Sequence, residues 1–184
     1  MTPTTIAPAT TTWKIDPAHS AAEFKVKHMM ISNVKGKFSN ISGSLTLDEN
    51  DPAQLSVEAA IPIATVNTGD AQRDGHLKGG DFFDAEKFPE MTFKSTQVKS
   101  TAPGELAVTG DLTMHGVTKA VAFAVEGPSE PAKDPWGNLR VGLSASAKIR
   151  RKEFGLTWNA ALETGGALVG DDVAITLDVQ FIKA

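Results

Sequence analysis

Apolar and polar residues alternate with a period of two along most of this chain, and that period belongs to β-strands with one buried face. The cleanest case is Leu55, Val57, Ala59, Ile61 and Ile63. Ala22, Phe24, Val26 and His28 alternate in the same way with Glu23, Lys25 and Lys27, and Val34, Gly36 and Phe38 with Lys35 and Lys37. The phase slips before Ile41, Gly43, Leu45 and Leu47, which predicts a bulge near Ser39-Asn40. Met91 to Lys99, Glu105 to Thr113, Val117 to Glu126, Leu139 to Arg150 and Val173 to Lys183 also read as strands. Turn residues separate them at Asp48 to Pro52, Pro103-Gly104, His115-Gly116 and the polar loop from Pro128 to Asn138, which has Trp136 near its end. There is no repeat and no βαβ alternation, so a parallel sheet is not expected. About eight antiparallel strands hide their edges by closing, which predicts an all-β, eight-stranded antiparallel barrel.

An eight-stranded barrel is either filled by its own side chains or holds one small ligand. The inward positions include Ala22, Gly36, Gly43, Ala59, Gly110, Ala145 and Ala147, where a solid core favours bulkier residues. These small residues leave room for a ligand, or else they sit at crowded strand crossings. Both readings stay open at this level.

One stretch breaks the pattern. Thr68 to Pro89 carries a helix signature, with Asp70 in the first turn, Gln72, Arg73, His76 and Leu77 at helical spacing, an Asp74–Lys78 pair at i,i+4, and Gly79-Gly80 as a stop. Asp81 with Asp84 suggests a second short turn closed by Pro89. Phe82, Phe83 and Phe88 are too much aromatic surface for a solvated loop. The expectation is a two-part helical plug over about residues 69–87, docked on the barrel.

Composition narrows the function. A length of 184 residues fits one domain. The net charge of −4 argues against nucleic acid as a partner. The absence of Cys removes disulfides, thiolate chemistry and sulfur metal sites, and the absence of Tyr removes a phenolic acid. Residues 1–12 read as a disordered polar leader without the basic and apolar regions of a signal peptide, so the domain is expected to run from 13 to 184 and the default location is cytoplasmic. No run of about 18 apolar residues is present to span a membrane as a helix.

Several motifs then fall in one order. Trp13-Lys14-Ile15-Asp16-Pro17-Ala18-His19-Ser20, followed by Phe24, Val26, His28 and Met29 and by Gly36-Lys37-Phe38, resembles the opening of the YceI-like family. Thr68, Arg73-Asp74, His76-Leu77, Phe82-Phe83-Asp84, Phe88-Pro89 and Phe93 resemble that family's plug. Gly110-Asp111-Leu112-Thr113, His115-Gly116-Val117-Thr118, then Arg151, Phe154-Gly155-Leu156 and Trp158, and finally Leu168 to Asp171 with Val173 complete the likeness. The resemblance runs from Trp13 to the C-terminus. It implies a lipocalin-like barrel that binds a polyisoprenoid, an isoprenoid quinone or a similar long amphiphile in its tunnel, for transport or storage. Many such relatives are periplasmic, and exposed strand edges in family barrels would allow a homodimer.

The polar candidates have competing readings. His19, His28, His76 and His115 lie in different elements without metal-ligand spacing, so no metal site is expected, and nothing calls for a cofactor. Asp70, Arg73, Asp74 and His76 are the most catalytic-looking set, but they can pair along their own helix and lack a nucleophile elbow. Arg150-Arg151-Lys152 reads as a solvated basic rim, or as a weak contact for an anionic lipid head or membrane surface. The residues nominated for ligand contact are Phe24, Val26, His28, Phe38, Ala59, Ile61, Arg73, His76, Phe83, Leu112, Phe123, Ala145, Arg151 and Trp158. The expected function is binding without chemistry. The alternatives are an enzyme acting on a lipophilic substrate through His76 or His28, and a dry barrel serving as an interaction module.

Overall fold

The computed structural model describes residues 9–184. The strands are β1 (Thr10–Ile15), β2 (Ala21–His28), β3 (Ser32–Phe38), β4 (Ser42–Asp48), β5 (Asp51–Pro62), β6 (Glu90–Ala102), β7 (Glu105–Met114), β8 (Val117–Glu126), β9 (Ala132–Lys133), β10 (Leu139–Arg150) and β11 (Val169–Lys183). One α-helix, α1 (Ala71–Lys78), lies between β5 and β6.

Ten of these strands make eight barrel walls, because two walls are each built from two strands in sequence, while the two-residue β9 only pairs with the start of β10. β1 and β2 both pair with β11, at Trp13 opposite Lys183 and Ala22 opposite Leu177. The joint between them is set by Asp16-Pro17. The Asp16 carboxylate accepts from the Ala18 amide at 3.0 Å, and a short 3-10 turn follows over Pro17–His19. Ser20 then stitches this joint to β11, accepting from the Gln180 amide at 3.1 Å and donating to the Asp16 carbonyl at 2.7 Å. β3 pairs with β2, while β4 pairs with β1 and β5. The expected bulge at Ser39-Asn40 is a full interruption between β3 and β4, with Asn40 at φ +55° and Ile41 buried. Gly43 is required just beyond it: at φ +144°, a Cβ there would stand 2.0 Å from the Glu58 carbonyl oxygen. The ring closes where β10 pairs with β11 from Arg140 opposite Ile182 to Arg150 opposite Asp172. The fold is thus a closed, eight-stranded antiparallel barrel.

The expected leader boundary at Trp13 moves. Thr10, Thr11 and Thr12 already pair with Asp48, Leu47 and Thr46, and the part of the leader over residues 1–8 lies outside the described residues. Side chains facing inward near β1 pack one end of the barrel solid, with Trp13, Leu45, Val141 and Phe181 all at 2% exposure or less. Arg140 clamps the same end from outside. It donates to Asp16 at 2.6 Å and to Asp134 at 2.8 Å, and these contacts lower both carboxyls to about 2.

The other end is roofed by the segment between β5 and β6. Asp70 is the N-cap of α1, accepting from the Arg73 amide at 3.0 Å. The plug differs from expectation in its second half, which forms turns instead of a helix. Asp81 caps nothing, because its carboxylate meets His76 at 2.8 Å. The Asp74–Lys78 pair is not made either, since Asp74 accepts from both the amide and the hydroxyl of Thr68, at 2.9 and 2.6 Å.

Candidate functional site

The barrel encloses a cavity of about 350 Å³ beneath α1. All fourteen nominated residues stand on its wall. Phe24, Val26 and His28 come from β2, Phe38 from β3, and Ala59 and Ile61 from β5. Leu112, Phe123 and Ala145 come from β7, β8 and β10. Arg73 and His76 reach it from α1, Phe83 from the turns after it, and Arg151 and Trp158 from the segment after β10. For the nine on strands, alternation is the cause, since one face of each strand faces the lumen.

Other parts of the wall were not nominated. β11 gives Val173, Ile175 and Leu177, which the same period-two rule would have found. Leu168, just before β11, lies in a loop with no periodic signal. Phe82, expected to dock the plug, also lines the cavity.

The small inward residues divide into two groups. A Cβ on Gly36 would stand 2.3 Å from the Phe24 ring, and one on Gly110 would stand 2.5 Å from the Phe93 ring. Those glycines, like Gly43, sit at crowded crossings and leave no room. Ala22, Ala59 and Ala145 do border the cavity, whereas Ala147 packs against the core.

The roof is held by polar and aromatic contacts. Arg73 donates from Nε to the Thr68 hydroxyl at 2.7 Å and from Nη2 to the Thr68 carbonyl at 2.9 Å, so its partner is Thr68 and not Asp70. His76 sits edge-on to Phe82 and Trp158, with centroids at 5.0 and 4.8 Å, while its Nε2 meets Asp81. Phe83 meets Phe38 edge-on at 5.8 Å, which docks the plug on β3. Phe88 meets His115 at 5.2 Å, and His115 bonds the Phe154 carbonyl at 3.0 Å. His19 is paired with Asp16 at 2.8 Å, so both outlying histidines serve local structure.

Arg151 overturns its sequence reading. It is no solvated rim residue, being 3% exposed with its guanidinium spent on backbone carbonyls. Nε donates to Gly170 at 2.8 Å, Nη1 to Leu156 and Trp158 at 2.7 and 2.9 Å, and Nη2 to Val169 at 3.2 Å. Burial lowers its pKa from the usual arginine value, partly offset by Asp171. This residue ties the 156–170 segment to the barrel, which leaves little of its fork for a ligand. Through Trp158, Arg151 and His76 share one end of the barrel. Among the described residues, no three His, Asp or Glu side chains are placed to hold a metal ion.

The wall is therefore mostly apolar down to a packed base, with His28, Arg73, His76 and Arg151 as polar groups toward the roof and Glu23, Lys27 and Thr92 also bordering it. The model of the YceI-like domain matches residues 13–181. A UPF0312 protein of Staphylococcus aureus strain USA300 is 38% identical over 173 residues, covering 93% of this chain and 97% of that one. Among solved structures, the Campylobacter jejuni YCEI protein has a TM-score of 0.70 at 33% identity, covering 87% of this chain and 91% of its own. BcnA of Burkholderia cenocepacia has a TM-score of 0.76 at 25% identity, covering 90% and 98%. A polyisoprenoid binding domain from Saccharophagus degradans shares the fold, with a TM-score of 0.67 at 15% identity over 94% and 98%. The chain belongs to the YceI-like family.

Proposed function

We propose that this protein binds a long-chain amphiphilic lipid, a polyisoprenoid or isoprenoid quinone, inside the barrel and carries or stores it unchanged. The observation that carries this reading is the apolar cavity with a solid base and a polar roof. Its size of about 350 Å³ lies within the range of small-molecule sites. Burying apolar chain there contributes about 25 cal/mol per Å² removed from water, without directional contacts. The fold shared with a polyisoprenoid binding domain supports the same ligand class.

The side chains that look catalytic are committed to the fold. Asp70 caps α1, Arg73 and Asp74 hold Thr68, and His76 is held by Asp81. That supports binding without chemistry.

The test is to extract the purified protein with organic solvent and identify the lipid by mass spectrometry. Stripped protein should then take up a synthetic polyprenol and return it chemically unaltered after long incubation. Recovery of a converted product would sink the non-catalytic reading. Failure to retain any polyprenol or quinone would sink the lipid reading itself.

A further inference from the structure

The turn between β2 and β3 breaks two local rules at once. Ile31 donates its amide to the His28 carbonyl at 3.2 Å, and the two residues between them, Met29 and Met30, have φ of +53° and +62°. Such positions favour Gly, Asn or Asp, and a Met there is strained. The result is three exposed apolar side chains in a row: Met29 at 41%, Met30 at 62% and Ile31 at 80%. They are not distant from the cavity. His28 and Leu168 both line it, and Met29 donates its amide to the Leu168 carbonyl at 2.8 Å.

The outer face of the same hairpin is cationic. Lys25, Lys27, Lys35 and Lys37 are all exposed, with Glu23 the one acid between Ala21 and Phe38, in a chain of net charge −4. Lys25 stands directly opposite Lys35, a like-charge pair that costs stability. The row continues through Ala174 of β11 to Lys148 of β10, so no acid interrupts it. None of these five lysines makes an ion pair among the described residues. They leave a shallow outer groove of about 410 Å³ beside Lys25, Lys35 and Lys37.

Strain and charge repulsion are kept where they gain nothing inside the fold, which points to an external partner. An apolar tip on a basic face matches the surface of an anionic bilayer, where the tip enters the interface and the lysines meet head groups. We infer that the β2–β3 hairpin docks this barrel on anionic phospholipid membranes, with Met29, Met30 and Ile31 inserted and the cavity end against the bilayer.

The test is vesicle sedimentation with phosphatidylcholine alone and with about 30% phosphatidylglycerol. The protein should partition onto the anionic vesicles at least tenfold better than onto the neutral ones, and 0.5 M salt should remove most of that difference, because the Debye length falls to about 4 Å and screens the lysines. Met30→Asn with Ile31→Thr should abolish partition, and Asn suits the positive φ, so the fold is kept. Lys25→Gln with Lys35→Gln should weaken it severalfold while raising the melting midpoint. Because the chain has no Cys, Met30→Cys accepts a single polarity-sensitive dye, whose emission should shift blue on the anionic vesicles. Absence of partition by the unaltered protein, equal partition onto both vesicles, or an unshifted dye would each overturn the inference. Such failure leaves the lipid-cavity reading intact, because that reading is judged by retained polyprenol.

Discussion

The imidazole of His76 stands edge-on to the indole of Trp158, with ring centroids 4.8 Å apart, and Phe82 touches both. This contact closes α1 against the segment after β10, two parts of the roof that are far apart in sequence. Each such ring pair contributes about 0.5–1.5 kcal/mol beyond its buried area. Trp158→Ala should therefore speed amide hydrogen exchange in α1 by roughly tenfold, with β7 and β8 unchanged. Uniform exchange across the protein would show that the roof does not open as a unit. Phe82→Ala removes a buried ring and should cost about 3–5 kcal/mol of stability in urea denaturation.

Arg151 should tolerate no substitution that keeps only its charge. Lys cannot reach four carbonyls set around a planar fork. Arg151→Lys is expected to destabilise by about 2–4 kcal/mol and Arg151→Met by about 3–5 kcal/mol, since both leave buried carbonyls without donors. A thermal midpoint within 2 °C of the unaltered protein for either variant would contradict this role.

The alternation of β5, β7 and β8 was legible because each strand has one face in water and one in the lumen, so the residue pattern records the environment directly. Arg151 was illegible for the opposite reason. Its neighbours Arg150 and Lys152 are exposed and give the triplet a solvated look, while its burial comes from the 156–170 segment folding over it. The threonines at the start of β1 carry no alternation at all. Their strand state is imposed by pairing with β4. The second half of the plug went wrong because Asp81 has two uses, a cap or a partner for His76, and only the fold decides between them.

Ala59 and Ala145 face the cavity from opposite parts of the chain. Ala59→Trp and Ala145→Trp should each fill space that is empty, so uptake of a fluorescent polyprenol should fall at least tenfold while the fold survives. If both variants bind as before, the ligand lies elsewhere. If both unfold, the lumen has no spare room.

Acid should loosen the packed end first. The Asp16 carboxyl is lowered to about 2 chiefly by its contact with Arg140, and next by His19. A carboxyl with a depressed folded-state pKa adds stability above its unfolded value near 3.9, and that stability is lost as pH falls through about 2. The melting midpoint should therefore drop more steeply between pH 4 and pH 2 in the unaltered protein than in Arg140→Gln, which has already lost the contact. Parallel profiles would remove the Asp16–Arg140 pair from the account.

β11 is the last of the barrel strands in chain order, and it supplies both seams of the ring. It pairs along one edge with β10 and along the other with β2 and then β1. Until its fifteen residues leave the ribosome, the first wall is paired on one side only and the sheet stays open at two edges. Closure must then join the two extremes of the chain, a high-contact-order event that is slow and exposes strand edges meanwhile. A chain that lacks β11 has no closed lumen to fill, so the capacity to hold a guest arrives all at once, when that strand is added.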